Sequence, residues 1–111
     1  MSATFEVLAE ENRRRILDLL LAQELPVGEL VNATALSQPS VSKHLRVLRK
    51  AGLVEVRSDA QRRFYRVRAE PLQAIDEWLT PYRRLWASHL DALERHLNTI
   101  SERASKGDED V

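Results

Sequence analysis

The chain alternates between helical and strand-like spacing of apolar residues, and its clearest helical segment covers residues 37–52. The apolar positions of this segment recur every three or four residues, which predicts a helix with one narrow buried face. That face consists of Val41, Leu45 and Leu48. The opposite side is basic with short hydroxyls, and it carries Ser42, Lys43, Arg46 and Lys50. Small and basic side chains on one face can approach phosphates and base edges, so the segment is typical of a DNA recognition helix.

Both ends of this helix are signalled by residues with special backbone roles. Ser37 has the short hydroxyl side chain of an N-cap, and Pro39 falls in the first turn, where no backbone hydrogen bond is lost. Gly52 can adopt the left-handed conformation that ends many helices. The sequence therefore predicts a helix bounded by Ser37 and Gly52.

Three shorter helices are predicted before this segment, over residues 3–9, 12–22 and 26–34. The inner face of the second should consist of Ile16, Leu17, Leu20 and Leu21. Its first turn carries three arginines that oppose the helix dipole, namely Arg13, Arg14 and Arg15. A phosphate or an acidic neighbour, Glu10 or Glu11, would favour them there, and the acidic neighbour is the partner we expect.

After Gly52 the apolar residues alternate, which predicts two β-strands over residues 53–57 and 63–68 with a turn at residues 59–62. The inward side chains of this hairpin should be Val54, Val56, Tyr65 and Val67. Its tip and outer face carry Arg57, Arg62, Arg63, Arg66 and Arg68. Helices followed by a basic hairpin predict a mostly α fold with a β-hairpin wing, a winged helix-turn-helix.

From Pro71 to about Arg103 the apolar residues form a near-heptad seam. The seam consists of Leu72, Ile75, Leu79, Tyr82, Trp86, Leu90, Leu93, Leu97 and Ile100. The first part of the seam, Leu72 to Leu79, should pack on the chain's own domain. The remaining part is too long for one small domain to cover. We therefore expect a homodimer through the N- and C-terminal helices. The expected interface residues are Leu79, Tyr82, Trp86, Leu90, Leu93 and Leu97.

Two features should limit the C-terminal helix. Pro81 predicts a break near Thr80, with Thr80 capping the second piece, or else a kink. The polar segment 101–111 is predicted to be a disordered tail. The DNA-binding and dimerisation domain should then span residues 1–100.

The formal net charge of zero conceals a separation along the 111 residues. Residues 1–36 carry three Arg against six acids, residues 37–68 carry nine Lys or Arg against two acids, and residues 69–111 carry five against nine. The basic middle third, at +7, holds both the predicted recognition helix and the predicted wing. Such a local excess of positive charge indicates double-stranded DNA as the partner.

Other classes of function lack the residues they need. The chain has no cysteine, which excludes disulfides, thiolate metal sites and Cys nucleophiles. We find neither an apolar segment long enough to cross a membrane nor a signal peptide, so we expect a cytoplasmic protein without a membrane partner. No glycine-rich phosphate loop or catalytic triad is present, so neither an enzyme nor a cofactor is expected.

Four segments form a specific combination of motifs. The first joins Leu-Ala-Glu at 8–10 to Arg-Arg-Arg-Ile-Leu at 13–17, and the second is Glu-Leu-Pro-Val-Gly-Glu-Leu at 24–30. The third joins Leu-Ser-Gln-Pro-Ser-Val-Ser-Lys-His-Leu at 36–45 to Ala-Gly-Leu-Val at 51–54. The fourth is Arg62-Arg63 with Tyr65. In these the chain resembles the ArsR/SmtB family of bacterial winged-helix repressors over residues 8–97. The resemblance implies a homodimer that binds an imperfect palindrome, blocks transcription and is released by an effector.

The resemblance also assigns DNA contacts. In the recognition helix it implies Gln38, Ser40, Ser42 and Lys43, to which the basic face adds Arg46. In the wing it implies Arg62 and Arg63, to which the charge pattern adds Arg66. The metal-sensing ligands of relatives are absent, because Pro26 and Gly28 occupy the places of two cysteines and the C-terminal ligand set counted from Asp76 is incomplete.

Two other functions remain open at this point. The basic wing could meet an acidic protein, which would make the chain a winged-helix interaction module. His89 and His96 lie seven residues apart on one helix face and could form a non-standard metal-sensing site, although solvated histidines are commoner. His44 lies near the apolar stripe, which favours a structural role. The sequence does not identify an effector.

Overall fold

The computed structural model describes the backbone of residues 1–109 and the side chains of residues 1–104, and within them it confirms the predicted winged helix-turn-helix, mostly α with one β-hairpin. The elements are α1 Ser2–Leu8, α2 Glu11–Ala22, α3 Val27–Thr34, α4 Gln38–Lys50, β1 Val54–Asp59, β2 Arg62–Val67 and α5 Leu72–Glu109. The chain forms two compact units, Met1–Ile75 and Asp76–Val111. The first unit contains the helix-turn-helix and the hairpin.

The core of the first unit is built from the predicted apolar faces. Its buried hydrophobic side chains are Val7, Ile16, Leu20, Leu30, Val41, Leu45, Leu48, Leu53 and Val54. The stripe of α4 is therefore confirmed as a buried face. The prediction was wrong for Leu21, which is 79% exposed. Leu21 follows the buried Leu20 directly and is rotated by about 100° around the helix, away from the core.

The ends of α4 are confirmed in detail. The Ser37 hydroxyl oxygen accepts a hydrogen bond from the Ser40 backbone N–H at 3.2 Å. Gly52 has a φ of +76°, and its N–H donates to the Arg49 carbonyl at 3.0 Å. The Leu53 N–H donates to the Leu48 carbonyl, also at 3.0 Å. These two bonds satisfy carbonyls that the helix itself leaves free and close a Schellman motif.

The arginine side chains at the start of α2 donate to carbonyl oxygens, while the expected acidic neighbour Glu10 interacts with Arg13 through its charge and accepts a hydrogen bond from the Arg13 backbone N–H. Arg13 and Arg14 donate to the Val7 and Leu8 carbonyls at the end of α1. Arg15 donates to the Thr34 carbonyl at the end of α3, at 3.1 Å. The expected acidic neighbour is therefore confirmed for Arg13 alone. The carbonyl partners were missed because helix C-termini carry partial negative charge that a sequence does not locate in space.

The predicted break at Pro81 is also wrong, because α5 continues through it. Pro81 lacks the N–H that would bind the Glu77 carbonyl, and side chains bind the adjacent carbonyl of Asp76. The Asp76 carbonyl accepts from the Thr80 hydroxyl at 3.4 Å and from Arg83 Nη2 at 2.8 Å. Thr80 is therefore an interior residue of α5 and not a cap.

The helical backbone of α5 extends to Glu109, past the end near Arg103 that the sequence predicts. This last part of the sequence mixes good helix formers, Ala104, Lys106 and Glu109, with poor ones, Ser105, Gly107 and Asp108, so helix propensity alone does not account for the extension. Asp110 and Val111 lie outside the described residues. Disorder of the 101–111 tail in solution stays a prediction.

Candidate nucleic-acid interface

The turn between α3 and α4 sets the direction in which α4 leaves the core. Thr34 is buried, and its hydroxyl donates to the Leu30 carbonyl at 2.7 Å and accepts from the Leu36 N–H at 3.3 Å. Ala35 adopts a left-handed conformation, φ 60°, which ends α3 sharply. The two hydrogen bonds of the Thr34 hydroxyl and the Arg15 contact to the Thr34 carbonyl together stabilise the turn between α3 and α4.

The predicted contact residues of α4 lie on its outer side. Gln38, Lys43 and Arg46 are exposed, and Ser40 and Ser42 are half-buried. Lys50 is the exception among the basic residues, because it lies beside α1 with Ala3 and Glu6. The basic face is therefore narrower than the sequence suggested.

The register of the hairpin divides its arginines between two faces. Val54 pairs with Val67, Val56 with Tyr65, and Ser58 with Arg63. Residues opposite each other share a face, which confirms the four predicted inward residues and places Arg63 with them. Arg62 and Arg66 belong to the other face. The three predicted wing contacts therefore do not form one patch.

Carboxylates offset much of the charge on that other face. Glu55 lies directly opposite Arg66, binds its guanidinium, and is also 3.8 Å from Arg68 Nε. Arg68 Nε is in turn 3.6 Å from Glu70. Arg62 has no carboxylate partner among the residues described, and its guanidinium lies over the Phe64 ring at 5.4 Å.

The base of the wing is attached to the α2–α3 loop. Arg57 Nε donates to Glu24 Oε1 at 3.0 Å and Oε2 at 3.2 Å, and Arg57 Nη2 also contacts the carboxylate. This bidentate hydrogen bond lowers the pKa of Glu24 and raises the pKa of Arg57. Next to this pair, Leu25 and Tyr65 exchange two backbone hydrogen bonds of 3.0 and 2.8 Å. The hairpin is thus held at two adjacent points.

A notch between α4 and β2 brings predicted contact residues together. Its lining consists of Ser42, Leu45, Arg46, Arg49, Arg63 and Tyr65. Ser42, Arg46 and Arg63 were predicted as DNA contacts, whereas Arg49 was missed. The signal was available, because Arg49 lies seven residues after Ser42 and three after Arg46, on the same side of a helix.

The histidines have different surroundings. His44 is 14% exposed, and its Nδ1 lies 3.7 Å from Glu10, whose carboxylate also caps α2 by accepting from the Arg13 N–H. This is the structural position that the sequence favoured. His89 and His96 are exposed on α5.

The metal ligands typical of sensor relatives do not fit this chain. Pro26 is the N-cap of α3 and Gly28 lies in its first turn, so neither offers a ligand side chain. Within the described part of the chain, no group of three or more His, Cys, Asp or Glu is placed to hold a metal ion.

Comparisons with known proteins agree with this geometry. The family model described as bacterial regulatory protein, arsR family, matches residues 10–56, which include α2, α3 and α4. The transcriptional activator HlyU of Vibrio cholerae is 43% identical over 74 residues, covering 67% of this chain and 68% of HlyU. The chain belongs to the ArsR family. It is therefore a DNA-binding transcriptional regulator, in a family of regulators and not of enzymes.

Two further relatives extend the comparison. The transcriptional repressor SdpR of Bacillus subtilis is 29% identical, covering 71% of this chain and 88% of SdpR. The solved structure of an ArsR-like transcriptional regulator from Rhodococcus sp. RHA1 matches with a TM-score of 0.67 at 26% identity, covering 85% of this chain and 89% of that one. This ArsR-family regulator thus has relatives named as an activator and as a repressor. None of its described helices could span a membrane.

The ion pair between Glu24 and Arg57 predicts a pH-dependent stability. The folded-state pKa of Glu24 is below its ordinary value of 4.5. The ion pair therefore stabilises the folded protein fully above pH 4.5, and this stabilisation is lost as the pH falls through the lowered pKa. Glu24→Gln should therefore lower the free energy of unfolding at neutral pH, and the difference from the unsubstituted protein should vanish in acid. Urea unfolding at several pH values measures it.

Glu94→Gln is the matched control, because Glu94 has no ion pair within the described residues. A Glu24→Gln deficit that persists unchanged in acid would show that the carboxylate charge is not the cause.

Proposed function

We propose that this regulator is a homodimeric repressor that binds a palindromic operator through α4 and the wing. The observation that carries the proposal is the clustering of unpaired positive charge. Lys43, Arg46, Arg49 and Arg63 are exposed, and none has a carboxylate partner among the described side chains, those of residues 1–104. Basic side chains without carboxylate partners, on an exposed helix and its neighbouring strand, can bind the phosphates along the edges of a DNA groove.

The proposed contacts separate into two kinds. Lys43, Arg46, Arg62 and Arg63 would bind phosphates, since a guanidinium or ammonium at the edge of the face meets the backbone first. Gln38, Ser40 and Ser42 lie near the start of α4, where short polar side chains can reach base edges. Arg66 would contribute less than Arg63, because Glu55 already offsets its charge.

The second unit supplies the support for a homodimer. Its α5 residues carry apolar side chains that stay about half exposed in the single chain, and these are Trp78, Tyr82, Leu85, Trp86, Leu90, Leu93, Leu97 and Ile100. A row of this length exposed to water is typical of an interface. Leu79, another proposed interface residue, is half-buried. A second copy of the same seam would cover the row and present two copies of α4 to one palindrome.

Salt dependence and two substitutions test the DNA contacts. If a dimer makes ~8 phosphate contacts, the logarithm of the binding constant should fall against the logarithm of salt with a slope of about −7. Lys43→Ala should weaken all duplexes alike. Gln38→Ala should reduce the preference for the operator by about tenfold, the value of one base contact, and leave binding to random DNA unchanged.

The operator duplex is DNA from upstream of the protein's own coding region, and a random duplex of equal length is the control. Fluorescence anisotropy over a range of salt concentrations gives both quantities. A flat salt dependence on every duplex would contradict DNA binding, and equal losses from Gln38→Ala on both duplexes would contradict the base contact. A transcript that falls when the gene is deleted would identify an activator instead of a repressor.

A further inference from the structure

The notch between α4 and β2 has the composition of an anion site. It has a volume of about 240 Å³ and is lined by three arginines, a serine hydroxyl and a tyrosine. Leu45, which is 1% exposed, is the apolar member of this lining. The lining side chains come from one face of α4 and the inner face of β2, so the notch exists only where helix and wing meet.

The charge in the notch is not offset by the protein. Arg46, Arg49 and Arg63 have no carboxylate partner among the side chains that the structure describes. Across the same hairpin, Arg57 is paired with Glu24 and Arg66 with Glu55. The contrast is informative, because gathering like charges costs free energy unless an opposite charge binds between them.

The donors in the notch define the chemistry of the ligand. Guanidinium groups present planar forks of N–H donors that match the oxygens of a phosphate. The Ser42 and Tyr65 hydroxyls can donate to further oxygens of the same group. A phosphate offers enough oxygens to meet several such donors at once.

We propose that the notch is a binding site for one phosphoryl group, that Arg49 is one of its ligands, and that a DNA backbone phosphodiester supplies the group. Only the source of the phosphoryl group rests on the proposed function. A free phosphate ion has the same chemistry and would compete for the site. In the DNA complex, the bound phosphate would fix the wing and α4 against one strand.

Two measurements with Arg49→Ala test the site and its source separately. On duplex DNA, Arg49→Ala should weaken binding roughly tenfold on operator and random sequence alike, and should reduce the salt slope by about 1 for each protomer. Without DNA, inorganic phosphate added at constant ionic strength should shift the NMR signals of Arg49 and Arg63 in the unsubstituted protein. Arg49→Ala should abolish the shift at Arg63.

The controls separate charge, fold and site. Arg84→Ala removes the same charge from the exposed surface of α5 and should change neither measurement. Arg49→Lys keeps the charge but not the planar fork, so it should retain the salt slope and lose part of the affinity. Circular dichroism verifies that each variant is folded.

Each outcome decides between the alternatives. An unchanged salt slope with a lost phosphate response would assign the notch to free phosphate and overturn the DNA source. Arg49→Ala behaving as Arg84→Ala in both measurements would overturn the site itself. If the unsubstituted protein bound no duplex, the proposed function would fail, while the phosphate titration would still decide on the notch.

Discussion

Replacing Leu93 by aspartate should make the protein monomeric and lower its affinity for a palindromic operator by roughly 100-fold or more. Leu93 lies in the middle of the exposed seam and is 52% exposed in the single chain. An aspartate placed in an apolar helix interface would be desolvated without a partner, which costs more than the lost leucine contacts. A monomer binds each half-site independently, so it loses the affinity that a dimer gains by binding both half-sites of the palindrome at once.

The test needs an assay of assembly as well as of binding. Sedimentation should show half the mass, and anisotropy should show the affinity loss on the palindrome but only a small loss on a single half-site. Ser88→Asp is the matched control, since it adds the same charge to an exposed residue of α5 that lies off the seam. A Leu93→Asp protein that remains dimeric, or that binds the palindrome as tightly as the unsubstituted protein, would refute the proposed interface.

The part of the fold that could be predicted from the sequence depends on local rules. The limits of α4 follow from Ser37 and Gly52, whose backbone roles involve only residues within one helical turn. The faces of the hairpin follow from period-two alternation, which the strand register confirms. Where a feature depends on distant residues, the prediction was less successful. Arg15 finds its partner 19 residues away, at the end of α3.

The candidate site shows the same division. The identity of the basic helix and the basic wing was predictable, because charge and periodicity are both visible in the sequence. The split of the wing arginines between two faces required the exact register, which places Glu55 opposite Arg66. The notch required the relative position of two elements, and therefore its combination of Arg49 with Arg63 became visible only in the structure.

Leu48→Ala should destabilise the protein by about 3 kcal/mol, because it removes a fully buried leucine and leaves a cavity between α4 and the rest of the core. Leu48 and Leu53 are both core residues with 0% exposure. The Leu53 backbone N–H donates a hydrogen bond to the Leu48 carbonyl. Leu21→Ala makes the same chemical change at a residue that is 79% exposed, and it should cost no more than about 0.5 kcal/mol.

Urea unfolding followed by circular dichroism measures both effects. Since small domains have only about 5–15 kcal/mol of stability, the Leu48→Ala protein should remain folded near room temperature but melt well below the unsubstituted protein. Operator DNA binds only the folded state, so saturating duplex should recover part of the loss in Tm. Equal destabilisation by the two alanine substitutions would contradict the core described for this unit. A Leu48→Ala protein that gains no stability from saturating operator would instead show that the variant no longer binds the operator, and therefore that the substitution disturbs the DNA-binding surface itself.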